Sequence, residues 1–425
     1  MKRAGILLLM LLAGQARMQA RAASFHGMPP PGYDMALTTE LLHAALSFMA
    51  PRTLEPIPVP TMTVWGLRGL TALDPALTPG VQGGTMRLAD RNRLLLALPA
   101  PAPADVAGWS VVAARLCGAA WQASAAVRRA GMQGLFTSFF DELFNHLDPS
   151  SRYIPPGRMA EETALSRTGT AAAQTVFAMR LGGMLVLRIA DFNAMTGPAL
   201  DRAIRQGLAA RPAPRGLVLD LRGNRGGLLR AAVAAARTLL ARGVVVTTAG
   251  RFPAATHVWR AHGTDLPARL PIIVLVDGRT ASAAEILAAA LADHHRAVVV
   301  GSTTLGKGLV QVATPLPDGG ELLLTWSRDL APDGWPIQGL GVLPAVCTSL
   351  GQNALERQLE ALSYGQQPMR SALAQHRGAR APLPLAQVLS IREACPAAVG
   401  HESDLQAAQF LVRDRTAYAT ALAGP

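Results

Sequence analysis

Apolar and polar positions change their period twice along the 425-residue chain. From residue 23 to about 155 the spacing is mainly helical. Leu41, Leu42, Ala45, Leu46 and Met49 follow Thr39 as an amphipathic stripe, and a proline-rich break follows at Pro51, Pro56, Pro58 and Pro60. Thr85–Ala89 and Arg93–Leu98, about the polar Asp90-Arg91-Asn92, predict a hairpin. Residues 105–130 and 132–147 predict two further helices, the second running out at Asp148-Pro149-Ser150-Ser151-Arg152-Tyr153.

Between about Leu185 and Val346 short apolar runs alternate with helical patterns. Strands are expected at 185–189, 216–220, 244–247, 271–276, 297–301, 309–313 and 321–325, and helices at 197–208, 228–241 and 282–293. Strands alternating with helices of this length predict an α/β layer joined by crossovers. From about Cys347 the pattern is helical again with proline-rich breaks, closing in Ser403–Leu422. The expected division is a leader at 1–22, a mainly helical domain at 23–165, an α/β core at 166–346 and a helical region at 347–425.

Composition adds limits. The net charge of +12 comes from scattered Arg, with no Arg run interleaved with aromatics, so a nucleic-acid groove is not expected. The same charge favours peripheral contact with anionic lipid headgroups. Lys2 and Arg3, the apolar run Gly5–Leu12 and Ala20-Arg21-Ala22 read as a secretory leader. That apolar run falls short of the roughly 20 residues a membrane span needs. Three cysteines lie beyond the leader. In an oxidising compartment Cys347 and Cys395 are placed to pair and staple the C-terminal region, with Cys117 a buried thiol in an apolar helix.

Beyond residues 1–22 the chain keeps one lysine, Lys307, and otherwise uses Arg. A guanidinium cannot give up its proton in a protein, whereas a desolvated ammonium can act as a base. Lys307 stands in Gly301-Ser-Thr-Thr-Leu-Gly-Lys-Gly308, one residue from a phosphate-binding loop. Gly308 takes the place of the Ser or Thr that would hold magnesium, and Leu309–Ala313 alternates as a strand where such a loop opens a helix. The nucleotide reading therefore loses. Gln311 is expected on the same strand face as Lys307, its amide oxygen within reach of the amine; taken alone, an ordinary exposed polar strand position explains it better.

Ser282 stands where an apolar strand gives way to a helix, among the unpaired amides of a helix start. Ser282-Ala283-Ala284-Glu285 is also a ready capping box, which needs no chemistry. The turn Asp220-Leu-Arg-Gly-Asn-Arg-Gly-Gly227 offers bare backbone amides at Gly226 and Gly227, as an oxyanion hole requires; a tight turn alone would also explain the glycines. Asp293 ends the Ser282 helix, to pair with Arg296 or to support the site from behind. With no His-x-x-x-His pattern and no clear histidine base, a serine nucleophile here would need lysine to activate it.

Together these segments resemble the C-terminal processing peptidases, S41-type serine–lysine endopeptidases. Asp220–Gly227 is similar to their Asp-Leu-Arg-x-Asn-Pro-Gly-Gly turn. Val276–Asp293 is similar to Val-Asp-x-x-Thr-Ala-Ser-Ala-Ala-Glu, and Val300–Gln311 to Val-Gly-x-x-Thr-x-Gly-Lys-Gly-x-x-Gln. Leu147–Tyr153 is similar to Leu-Asp-Pro-x-Ser-x-Tyr. The resemblance covers roughly residues 130–346. It implies a crotonase-like (ClpP-like) ββα spiral core flanked by helical N- and C-terminal regions, acting on proteins or peptides. Ser282 would be the nucleophile, Lys307 the base, kept neutral by burial, and Gln311 its orienting partner. Amides of Gly226, Gly227 and Ala283 would form the oxyanion hole, with Asp293 as supporting acid and neither cofactor nor metal.

Three departures bear on that expectation. Arg225 replaces the family's Pro, and Ala345 replaces the Asp of Ile-x-Pro-Asp. The family also places a PDZ domain before the core, where here 154–184 is shorter than the ~50 residues a domain needs. Substrate capture would then fall to the flanking helices, an adaptor or a second copy of the chain. The expected protein is an exported, periplasmic endopeptidase, in association with the inner membrane. The alternative is a catalytically weak peptidase-like scaffold that binds peptides or partner proteins.

Overall fold

Four prolines between 51 and 60 end one helix and start the next. In the computed structural model, which describes residues 32–158, 174–268 and 270–424, α1 spans Met35–Met49 and α2 spans Val59–Leu73 with Pro58 as its N-cap. Helix α1 begins earlier than Thr39 because the Asp34 side chain accepts from the Leu37 amide at 2.9 Å. The expected leader at 1–22 lies outside the described residues, as does 159–173.

The described chain divides into two units. One holds residues up to Ser47, 58–149 and 316–319. It contains α2, an antiparallel sheet β1-β2-β3 (Leu77–Gln82, Thr85–Asp90, Arg93–Pro99), α3 (Val106–Ala123) and α4 (Ala125–Asn145). The 85–98 hairpin is as expected. The predicted helix boundary at 131 moves to Ser124, whose hydroxyl accepts from the Ala126 and Val127 amides and so starts α4. Gly131 survives as a non-helical residue inside α4. Cys117 is a buried free thiol in α3.

The second unit holds 48–57, 150–315 and 320 onward, so the helices after Cys347 share a unit with the α/β core. Its strands are β4 (Arg152–Ile154), β5 (Val176–Leu181), β6 (Met184–Ile189), β7 (Gly216–Asp220), β8 (Arg242–Ala249), β9 (His257–His262), β10 (Ile272–Val276), β11 (Val298–Gly301), β12 (Leu309–Pro315), β13 (Glu321–Leu330) and β14 (Val346–Cys347). Its helices are α5 (Thr196–Ala209), α6 (Leu229–Leu239), α7 (Ala283–Asp293), α8 (Gln352–Ser363), α9 (Arg370–Arg377), α10 (Leu385–Arg392), α11 (Glu402–Arg413) and α12 (Arg415–Leu422).

A six-stranded sheet runs β14-β11-β10-β7-β6-β5, parallel except for the β5–β6 pair. Its central strands β7, β10 and β11 are buried at every position because both faces are covered. Leu217, Leu219, Ile272, Val274 and Val276 point into a core with α5, α6 and α7. Val218, Ile273, Leu275 and Val300 point the other way, onto α8, α11 and α12. Strands β12-β13-β8-β9 form an antiparallel sheet, with β4 added on β13. The α/β core expected from the pattern is present, and it delivers three loops from the C-terminal ends of β7, β10 and β11.

Candidate active site

Strand β10 ends at Val276, and the chain then turns through Asp277–Ser282 before α7 begins. Asp277 is fully buried and builds this turn: its carboxylate accepts from the amides of Gly223, Arg279 and Thr280 at 2.9, 3.0 and 3.0 Å. Burial alone would raise its carboxyl. The donors at Gly223, Gly400 and Arg279 more than offset that and hold it below the usual carboxylate range. Ser282 is the N-cap of α7 with φ 56° and ψ −120°. A non-glycine residue at positive φ stores strain that the surrounding turn must hold, as at the sharp strand-to-helix turns that present nucleophiles.

The capping box is realised, since the Glu285 carboxylate accepts from the Ser282 amide at 2.8 Å. Capping is only part of what Glu285 does. It is completely buried and also accepts from the Thr304 hydroxyl, the Gly306 amide at 2.6 Å and the Lys307 amide at 2.9 Å. One carboxylate thereby ties the start of α7 to the loop that carries Lys307. Burial pushes Glu285 above its ordinary range, while its four donors pull the other way.

The glycine turn after β7 packs directly against Ser282. A Cβ on Gly226 (φ 102°) would come within 2.7 Å of the Ser282 Cβ and 2.8 Å of the Ala281 carbonyl, so only glycine fits. A Cβ on Gly227 (φ 132°) would meet the Phe192 carbonyl oxygen at 2.2 Å. Asn224, buried, staples the turn in place. Its amide donates to the Ile189 carbonyl at 2.7 Å, its side-chain oxygen accepts the Gly226 amide at 2.8 Å, and its backbone carbonyl accepts the Ala281 amide at 2.9 Å. This corrects one expectation: the Gly226 amide is already used and is not free to serve an oxyanion. Among the described residues the amides of Gly227 and Ala283 donate to no such partner and stay available.

Lys307 is exposed rather than buried, on the loop between β11 and β12. Among the described residues no hydrogen bond joins its amine to Ser282 or to Gln311. The Gln311 amide instead donates to the Thr325 hydroxyl at 3.2 Å. A β-bulge between Val310 and Gln311 breaks the simple alternation that would put Lys307 and Gln311 on one face. The loop itself is firmly held: Gly339 donates to the Gly306 carbonyl at 2.9 Å, and the Gly308 amide donates to the Gln338 side chain at 2.9 Å.

Asp293 lies at the far end of α7, about 16 Å along the helix from Ser282. It does not pair with Arg296, which binds Asp265 at 2.9 Å. Its carboxylate accepts from the Trp335 ring nitrogen at 3.0 Å and the Asp333 amide at 3.1 Å, with Arg377 at 3.6 Å. Asp293 therefore steadies the 333–339 segment, which in turn bonds to the Lys307 loop. Burial first, then the Asp333 charge, pushes its carboxyl up to about 7. Asp329 on β13 is also buried and is pushed up to about 7 by burial, with the Glu285 charge adding to it.

The structure thus gathers Ser282, Gly226, Gly227 and Ala283 about one point. It ties Lys307 to them through Glu285, while Gln311 bonds to Thr325 and Asp293 to Asp333 and Trp335. Sequence reasoning missed the wider roles of Glu285, Asn224, Asp277 and Asp329. Glu285 had been read as a cap only, and nothing local distinguishes a capping glutamate from one that also binds a loop 21 residues away. Among the described residues no helix is long and apolar enough to cross a membrane.

Residues 183–347 match the family described as peptidase family S41. A carboxy-terminal-processing protease of Bartonella bacilliformis is 40% identical over 167 residues, 39% of this chain and 38% of that one. The chloroplastic C-terminal processing peptidase of Tetradesmus obliquus is 38% identical over 189 residues, 40% of this chain and 39% of that one. A solved structure of a photosystem II D1 C-terminal processing protease aligns with 68% of this chain and 95% of its own at 21% identity and a TM-score of 0.44. The matched segment spans less than two fifths of the length of the two curated relatives.

Proposed function

We propose, from the match of residues 183–347 to peptidase family S41, that the chain is a serine endopeptidase acting through Ser282 and Lys307. The observation that carries the reading is the pair of amide bonds from Ser282 and Lys307 to the one buried carboxylate of Glu285, beside a glycine turn that touches Ser282.

The Ser282 oxygen attacks a peptide carbonyl as Lys307 takes its proton, and the negative oxygen that forms is received by the Gly227 and Ala283 amides. The C–N bond breaks, the leaving amine takes the proton from Lys307, and an acyl-serine remains. Water, deprotonated by the same amine, then releases the acid. Lys307 is open to solvent without substrate; a peptide lying over it would exclude water, and desolvation favours the neutral amine that this step needs. Gln311 would orient that amine through its side-chain oxygen, the atom its bond to Thr325 leaves unused.

Lys307→Arg tests this reading, because it keeps the positive charge and removes the base. Cleavage of an unstructured protein should disappear while the fold, followed by circular dichroism, is unchanged. Turnover at the native rate would overturn the lysine-base mechanism.

One observation favours a second reading. The amine of Lys307 and the hydroxyl of Ser282 are not hydrogen-bonded, as expected of a scaffold that keeps the fold and binds peptides without cutting them. A fluorophosphonate separates the two, since an unactivated serine would not be labelled.

Export accords with the leader at 1–22 and with the Cys347–Cys395 disulfide. N-terminal sequencing of protein recovered from the periplasm should begin near residue 23. Peripheral contact with the inner membrane, and capture of substrate by an adaptor or a second copy, belong to the same proposal.

A further inference from the structure

Arg222, Asp277 and Ser302 lie on the three different loops that leave β7, β10 and β11, yet all three bond to one short segment, Cys395–Asp404. The Gly278 amide donates to the Ala398 carbonyl at 2.7 Å, and the Gly400 amide donates to Asp277 at 3.2 Å. The Ser302 hydroxyl donates to the Ala398 carbonyl at 2.9 Å, and the Ala398 amide lies 3.0 Å from the same hydroxyl oxygen. The Thr303 hydroxyl donates to the Cys395 carbonyl. Arg222 donates to the His401 carbonyl at 2.8 Å and to Asp404 at 3.0 Å. Before α11 begins at Glu402 this segment has no helix or strand of its own to hold its shape. Two fastenings fix it. One is the Cys347–Cys395 disulfide, whose Cα atoms are 5.7 Å apart. The other is Asp404, which accepts from the Thr348 hydroxyl at 2.7 Å.

Those loops carry the glycine turn, Ser282 and Lys307. We propose that Cys395–Asp404 is a positioning strap for the three catalytic loops and that the disulfide is the clasp keeping it seated. The reactivity of Ser282 then depends on a covalent bond remote from the chemistry. The strap acts through the loops and touches no reacting atom. This inference rests on the peptidase reading.

A trialkylphosphine tests it on the full chain. Reduction takes up water: the phosphine is oxidised to its oxide and the two sulfurs become thiols, which iodoacetamide then blocks. The labelling rate of Ser282 by a fluorophosphonate should fall about 100-fold, the scale expected for misplacement of reacting groups by about 1 Å. The Gly278 amide should lose protection from hydrogen exchange while β7, β10 and β11 keep theirs. Ser302→Ala, with the disulfide intact, should slow labelling about tenfold, one hydrogen-bonded tie to the strap being lost.

Equal labelling rates before and after reduction overturn the strap. So does loss of protection throughout the sheet, which would make the disulfide a fastening of the fold and not of the loops. Failure of the oxidised chain to be labelled at all defeats the peptidase reading itself, and the strap with it.

Discussion

The backbone amides of Ser282 and Lys307 converge on a single oxygen atom, Oε2 of Glu285, at 2.8 and 2.9 Å. The other carboxylate oxygen takes Thr304 and Gly306. A charged, fully acceptor group is needed, because every neighbour is a donor.

Glu285→Gln should therefore be costly despite its near-identical shape. Its NH2 would face backbone amides, leaving buried donors opposed and the Lys307 loop loosened. We expect kcat to fall by about 100-fold with a smaller change in KM, since Glu285 positions groups and does not bind substrate. Steady-state kinetics on an unstructured protein checks this; a variant changed only in KM would contradict it.

Gly226→Ala puts a methyl group 2.7 Å from the Ser282 Cβ at a backbone φ of 102°. Both the clash and the strain push Ser282 out of place. Stability should drop by about 1–3 kcal/mol in urea denaturation. Fluorophosphonate labelling should slow by about 100-fold. Labelling at the native rate would show that the glycine turn does not set the position of Ser282.

Asp329 makes stability depend on pH in a defined direction. Among the described residues Oδ1 of its buried carboxyl has no hydrogen-bond partner, and burial pushes the group from 3.8 up to about 7 in the folded chain. Between those values the folded chain holds a proton that the unfolded chain has lost. The group's contribution is thus full at low pH and is lost as pH rises through about 7. Asp293 acts in the same sense. His376 opposes both: burial holds its ring at about 4, so its contribution is lost as pH falls below 6.5. Comparing Asp329→Asn with the native chain removes these shared effects. The variant should gain about 2 kcal/mol on the native chain between pH 5 and pH 8. Urea denaturation at the two pH values measures it, and a flat difference would refute the assignment.

The sequence by itself determined the order of elements and the identity of the groups. Continuous apolar runs at 216–220 and 271–276 became strands, because successive side chains are buried on opposite faces of a parallel sheet. Ser282 at a helix start and Gly226–Gly227 in a tight turn were legible because caps and positive-φ turns are local matters, settled within a few residues. The pairing of Cys347 with Cys395 was open in the sequence, as a bond an oxidising compartment would allow, and the disulfide is present.

Only the tertiary structure decided which groups meet. Asn224 reaches Ile189, Glu285 reaches Lys307, and Ala398 reaches Gly278 and Ser302, each across tens of residues or more. No periodicity encodes such contacts, because they arise when loops from the ends of neighbouring strands are brought to one edge of the sheet. The same limit explains two misplacements. A bulge at Val310–Gln311 shifts the strand face on which Gln311 was expected beside Lys307. The exposure of Lys307 depends on how the loop between β11 and β12 is held, and the hydrophobic pattern around it carries no record of that.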